Sequence, residues 1–217
     1  MAGRKATESG KKVNAVNEAL KFPQGNAMED ALGVLMQEGN MPLVVALIDL
    51  DEFMSVNERF GMEEGDRVLI ELGRFLAEKA PEGADVYRVS GDEFGIVFHC
   101  GMEKEDVFLM MEDVRRALNI TLPDGKKLTV SIGVATAFED ATRVPELLRK
   151  AESALFRVKL NGRNRVALAR EEKMIPKTSH YTADQLQTLS KLSKREGIGE
   201  AILLREALDM LLKKYDI

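Results

Sequence analysis

Three carboxylates in this sequence stand where chemistry is possible. Asp49 closes an unbroken apolar run, Leu43-Val44-Val45-Ala46-Leu47-Ile48, and Asp92 and Glu93 follow Ser90-Gly91 between two short strand-like runs, Val86 to Val89 and Phe94 to Phe98. If that hairpin pairs beside the strand ending in Asp49, the three acids meet at one edge of a sheet. Such a group suits a hard divalent cation, which takes oxygen ligands, lowers the pKa of a nucleophilic hydroxyl and neutralises charge on a transferring phosphoryl group. Taken singly, each Asp is an ordinary turn residue in an acidic chain, so the surrounding residues must decide.

Composition narrows the choice. Cys100 is the single cysteine and His99 and His180 are the two histidines, which excludes an intrachain disulfide and a Cys/His zinc cluster. A metal would have to sit on carboxylates. With 31 Lys plus Arg against 36 Asp plus Glu, the net charge of −5 excludes a general polyanion binder, so any DNA contact is local. No window approaches the roughly 18 uninterrupted apolar residues of a membrane span. Residues 1–14 are small, polar and basic without an apolar stretch, which predicts a disordered arm rather than a secretory signal, and a cytoplasmic setting.

The elements that must position the acids follow from periodicity. The stretch Ala15 to Glu38 predicts a short turn and then a helix. The Leu43–Ile48 run predicts a central strand buried on both faces. Val68, Leu69, Leu72, Phe75 and Leu76 recur at helical spacing within Gly65 to Lys79, and Pro81 and Gly83 close that segment. Helices are expected over Val107 to Leu118 and Arg143 to Leu160, and strands over Lys127 to Ala135 and Arg165 to Ala169. The alternation argues for an α+β domain over 15–169, a central mixed sheet with helices packed on it. Composition changes after Ala169, and residues 170–217 read as a second module.

Arg88-Val89-Ser90-Gly91-Asp92-Glu93-Phe94-Gly95 resembles the Gly-Gly-Asp/Glu-Glu-Phe signature of diguanylate cyclases, the GGDEF family, with Ser in place of the first Gly. Two further blocks match that family in order and spacing: Asp49-Leu50-Asp51-Glu52-Phe53 with Asn57, Phe60-Gly61, Gly65-Asp66 and Leu69, and Leu155 to Arg165. The resemblance implies the palm-like nucleotidyl cyclase fold and the condensation of two GTP into cyclic di-GMP with release of two pyrophosphates. It implies two Mg2+ or Mn2+ ions per half-site, held by Asp49, Asp92 and the carbonyl of Leu50. Glu93 is implied as the carboxylate that helps deprotonate the attacking 3′-hydroxyl, with Asp92 and Glu93 sharing the catalytic assignment. Asn57 and Asp66 match the guanine readers, and a carboxylate there leaves adenine, which lacks the matching donors, with an unpaired buried acceptor. Glu52 and Phe53 are expected beside the substrate. Lys159 and Arg163, four apart at a helix end, are expected to reach one triphosphate as a point charge and a fork.

This chain departs from the family pattern. Met54, Glu58 and Met62 replace the usual Lys, Asp and His, and Asn17 to Gly25 replaces the usual opening motif. Pro81 and Ala84 stand where the family's product-inhibition site has Arg and Asp, so feedback through that site is expected to be absent.

In the tail, Thr182 and Gln185 form a capping box ahead of Leu186, Leu189 and Leu192, which predicts a helix over Ala183 to Arg195. Gly197-Ile198-Gly199 breaks it, and Ala201, Ile202, Leu204, Ala207, Leu208, Leu211 and Leu212 predict a second apolar helix. Residues 174–217 resemble the ribbon-helix-helix family, which implies a short strand and an intertwined homodimer. Cover could instead come from folding back on the first domain. In that register Ser179 and Tyr181 face the core and Pro176, Thr178 and His180 face out, so Thr178 and His180 are the candidate DNA contacts. The tail's balanced charge favours dimerisation over DNA binding. The alternative to a cyclase is a degenerate GTP or cyclic-dinucleotide sensor that controls the ribbon-helix-helix module.

Overall fold

In the computed structural model, which describes residues 15–39, 42–169, 178–196 and 199–215, the apolar run after Pro42 becomes the centre of the sheet. The strand β1 (Val44–Leu50) is buried along its whole length. Its side chains alternate between two cores, as a strand period of two requires. Val44, Ala46, Ile48 and Leu50 enter one core, and Val45 and Leu47 enter the other.

Around it run β2 (Ala84–Arg88), β3 (Glu93–Phe98), β4 (Val130–Thr136) and β5 (Val166–Leu168), in the spatial order β2-β3-β1-β4-β5. β1 pairs antiparallel with both β3 and β4, and β5 adds parallel to β4. The sheet is therefore mixed and the architecture α+β, as expected.

A short helix, α1, is described over residues 15–20 and is followed by α2 (Ala27–Glu38). The helices α3 (Phe53–Phe60), α4 (Met62–Lys79) and α5 (Lys104–Ala117) supply Val56, Val68, Leu72, Leu76, Val107 and Met111 to the first core. On the opposite face, α2 and α6 (Val144–Leu160) supply Met28, Leu32, Leu147, Ala151 and Leu155. Glycine matters where α6 crosses the sheet: a Cβ at Gly133 would lie 2.2 Å from the carbonyl oxygen of Ala151.

Three elements differ from expectation, the first being α1, a helix where only a short turn was expected ahead of α2. α3 was not anticipated as a separate helix; Gly61, at φ 87, breaks it from α4. The strand expected from Lys127 begins only at Val130. The preceding residues fold into a small excursion around Gly125, with Thr121 bridged to Lys127 and Ile120, Leu122 and Leu128 buried.

The chain divides near residue 171 into two units. In the second, α7 (Ala183–Glu196) opens on the expected capping box: the Thr182 N–H donates to Gln185 Oε1 at 2.9 Å, and the Gln185 N–H donates to Thr182 Oγ1 at 3.2 Å. It is followed by α8 (Glu200–Lys214). None of this unit's described residues is fully buried, and Leu208, Met210, Leu211 and Tyr215 are exposed.

Ser179 and Tyr181 are expected to be covered by the second chain of a ribbon-helix-helix dimer. Both are exposed, with Thr178 and His180, on extended chain that carries no strand pairing among the described residues. A lone ribbon has no edge to pair with. The arm over 1–14, Pro176 and the Gly197-Ile198 break lie outside the described residues. No described helix is long and apolar enough to cross a membrane.

Candidate functional site

Asp49 has the parity of Val45 and Leu47, so it faces the layer formed by α2 and α6. From the last turn of α6, Lys159 places its Nζ 2.7 Å from Asp49 Oδ2. Burial is the largest influence on this carboxyl and pushes it from 3.8 up to about 6; Lys159 opposes the rise, and the charges of Asp92 and Glu93 add to it.

The expected meeting of two segments is realised through register, with Glu93 directly opposite Asp49. The Leu50 N–H also donates to the Asp92 carbonyl at 3.4 Å. The hairpin tip is tight, because the N–H groups of Val89 and Ser90 both donate to the Glu93 carbonyl, at 3.0 and 3.2 Å. From beneath, the largely buried Arg88 donates to the Gly91 carbonyl at 2.7 Å and to Asn17 Oδ1 at 2.8 Å. Neither Ser90 nor Gly91 has positive φ, so serine in place of the family's first glycine meets no backbone penalty.

Among the described residues, no group of three His, Cys, Asp or Glu side chains is arranged to hold a metal by itself. The three acids thus influence one another without forming a ready cage. A set of two carboxylates, Asp49 and Asp92, with the Leu50 carbonyl needs no third acid. These are hard oxygen donors, and the ammonium resting on Asp49 marks the spot as one that draws a cation. The residues fit a divalent ion in kind.

The expected base readers lie on α3 and α4. Asn57 Oδ1 is buried without a hydrogen-bond partner, an uncommon condition for a polar atom in a folded chain. It lies over Gly65, where a Cβ would stand 1.9 Å from that oxygen and 3.3 Å from the Phe53 ring. Phe53, one turn before Asn57 on α3, packs against the first core. Asp66 is half-buried on α4 within electrostatic reach of Arg88. It also lines a groove along α4 with Arg67, Ile70 and Phe75, a groove that contains none of the other candidate residues.

Two candidates have ion-pair partners that the sequence did not indicate. Glu52 is exposed, at φ 58, and turns to Lys126 at 2.6 Å, which holds its carboxyl below the usual range. Lys159 meets Asp49, because a nearly buried carboxylate takes a nearby cation as counter-charge. Met54 is 75% exposed and Met62 49% exposed, so neither fills the core.

Asp51 was read only as part of a motif, yet it is the best-satisfied acid in this region. It is buried and accepts from Thr129 Oγ1 and Ser131 Oγ, each at 2.6 Å, and from the Asn164 N–H at 3.1 Å. The signal available in the sequence was its spacing, two residues after Asp49 at the end of a buried strand.

A family model described as diguanylate cyclase, GGDEF domain, matches residues 22–165, and one described as ribbon-helix-helix domain matches residues 175–216. The probable diguanylate cyclase DgcC of Escherichia coli is 34% identical over 134 residues, covering 60% of this chain and 36% of that protein. Diguanylate cyclase A of Treponema denticola is 31% identical over 132 residues, covering 59% of this chain and 35% of its own length. The chain therefore spans about a third of the length of these curated relatives. Among solved structures, the GGDEF domain of YfiN (TpbB) from Pseudomonas aeruginosa superposes with a TM-score of 0.65 at 26% identity, covering 70% of this chain and 99% of that one. The active GGEEF domain of a diguanylate cyclase from Vibrio cholerae gives 0.60 at 26% identity, covering 65% and 92%.

Proposed function

The chain belongs to the diguanylate cyclase GGDEF-domain family, and on that premise we propose that it condenses two GTP molecules into cyclic di-GMP with release of two pyrophosphates. The observation that carries this reading is the register that sets Glu93 opposite Asp49 while Asp92 joins the end of the same strand through Leu50. In each of two steps, the 3′-oxygen of one GTP forms a bond to the α-phosphorus of the other, and the bond from that phosphorus to the departing pyrophosphate breaks. The Glu93 carboxylate helps take the hydroxyl proton, and Asp92 shares the catalytic edge.

Asn57 and Asp66 read the guanine. The unpartnered buried Asn57 oxygen suits a donor on the base, so GTP is favoured over ATP. Lys159 and Arg163 take the triphosphate, which requires Lys159 to exchange Asp49 for phosphate oxygens. Phe53 and Glu52 lie beside the substrate.

Asp49, Asp92 and the Leu50 carbonyl would hold Mg2+ or Mn2+, two ions per half-site. Bound there, the ions supply charge neutralisation at the α-phosphate and acidify the attacking hydroxyl.

The reaction needs two half-sites face to face. The second unit supports a homodimer, because Leu208, Met210, Leu211 and Tyr215 are exposed among its described residues and its family match is to ribbon-helix-helix domains. Tethering raises the effective concentration of one half-site at the other. A cytoplasmic setting, where GTP is available, goes with this reading. The same family match favours a second reading, in which the nucleotide domain senses GTP or a cyclic dinucleotide and controls DNA binding through Thr178 and His180.

Purified protein incubated with GTP and Mg2+, its products resolved by mass, tests the choice. Cyclic di-GMP that disappears in Asp92→Ala and Glu93→Ala supports the cyclase. No cyclic or linear dinucleotide would refute it, and nucleotide-dependent retardation of DNA would then support the sensor.

A further inference from the structure

Asp51 lies just past the end of β1 and is 5% exposed, yet three donors converge on its carboxylate from β4, the residue preceding it and a distant loop. The loop runs from the end of α6 to β5. It contains three consecutive residues in the left-handed region: Gly162 at φ 94, Arg163 at φ 59 and Asn164 at φ 49. Only the first is a glycine. A Cβ makes that backbone unfavourable, so something must hold Arg163 and Asn164 there.

The Arg163 N–H donates back to the Val158 carbonyl at 3.0 Å and closes the end of α6, which leaves the Asn164 N–H to find an acceptor outside the helix. That acceptor is an anion from within the chain: Asp51 Oδ2 accepts the Asn164 N–H at 3.1 Å while its other oxygen is tied to Ser131. A second clamp grips the turn from α5. Arg115 Nη1 donates to Asn164 Oδ1 at 2.7 Å, Arg115 is paired with Glu112 at 2.8 Å, and Glu112 Oε1 accepts the Val166 N–H at 3.1 Å. The turn has Lys159 just before it and Arg163 in its middle.

We propose that Asp51 is a positioning residue for phosphate binding: its buried carboxylate holds the left-handed turn 162–164, and so fixes Arg163 for the triphosphate without touching substrate. The proposal rests on the cyclase reading for the identity of the anion. Asp49, two residues earlier, faces the reacting edge; Asp51 faces the loop. One motif thus places the acid edge and the basic loop from a single strand end.

The test is Asp51→Asn in the full chain. It keeps the side-chain shape and leaves one oxygen for Thr129 and Asn164, while removing the charge that the turn surrounds. Loss of one charge-assisted phosphate contact corresponds to about tenfold weaker binding. Pyrophosphate and GTP are therefore expected to bind about tenfold more weakly by calorimetry, KM for GTP to rise far more than kcat falls, guanosine affinity to stay unchanged, and the Asn164 amide to lose protection from hydrogen exchange.

A variant that folds with unchanged pyrophosphate affinity and unchanged Asn164 exchange overturns the proposal. So does one in which guanosine weakens as much as pyrophosphate, since Asp51 would then be supporting the domain in general. If Asp51→Asn does not fold, Arg115→Met removes the outer clamp from a partly exposed position, and weaker pyrophosphate binding with faster Asn164 exchange is expected again; no change in either overturns the proposal. Wild-type protein that binds pyrophosphate but forms no dinucleotide counts against the cyclase reading alone.

Discussion

Replacing Asp49 by Asn should make this protein more stable at neutral pH while abolishing its proposed activity. Burial raises the folded-state carboxyl from 3.8 to about 6, even with Lys159 only 2.7 Å away. Below pH 4 the group is protonated in both folded and unfolded chains and contributes no difference. Between about pH 4 and 6 the folded chain keeps a proton that the unfolded chain has released, so stability falls as pH rises through this window. At about 1.4 kcal/mol per pH unit, the loss amounts to about 3 kcal/mol once both states are ionised.

Asparagine has the shape of the neutral acid and does not titrate, and Lys159, 31% exposed at its side chain, can turn to water. Urea unfolding of both proteins in the presence of a chelator, from pH 4.5 to 7.5, measures the difference directly. The Asn variant should gain on wild type across the window and lead by about 1–3 kcal/mol at pH 7.5. A variant less stable than wild type at pH 7.5, or a difference that does not change with pH, refutes the reasoning. Such an outcome would mean that the Lys159 pair outweighs the desolvation of Asp49.

Three further substitutions test other parts of the structure. Gly65→Ala would gain about 1 kcal/mol in an ordinary helix, but here its Cβ meets Asn57 Oδ1 at 1.9 Å. Steady-state kinetics should show KM for GTP raised by about tenfold or more, with discrimination against ATP reduced. Gly133→Ala drives a methyl against the Ala151 carbonyl and the Leu155 nitrogen, at 2.2 and 2.5 Å. Backbone cannot yield there as a side chain can, and thermal unfolding should report a loss of about 3 kcal/mol. Thr182→Ala removes one half of the capping box and should cost about 1 kcal/mol of helix stability. Circular dichroism should show the loss, and sedimentation should show the proposed homodimer dissociating at higher protein concentration than wild type.

Much of the framework is legible in the residues alone. Six consecutive apolar residues from Leu43 to Ile48 can satisfy burial on both faces only at the middle of a sheet, and β1 lies there. Thr182 and Gln185 are three residues apart, so their reciprocal bonds depend on one turn of chain and nothing beyond it. The acids at the strand ends were legible for the same reason: each is marked by its immediate neighbours.

The tertiary structure decided what those neighbours leave open. α3 is short, and its separation from α4 rests on the backbone of Gly61 rather than on a change in apolar period. Lys159 lies 110 residues after Asp49, and Asn164 lies 113 after Asp51; no local pattern reports that either pair meets. Asp49 and Asp51 are separated by one residue and have the same side chain, yet one is raised toward neutrality and the other is held by three donors. Local preference follows from sterics and hydrogen bonding within a few residues of chain. The chemical state of a carboxylate follows from the solvent it loses and the donors it gains, and both are set by whichever distant segments the fold packs around it.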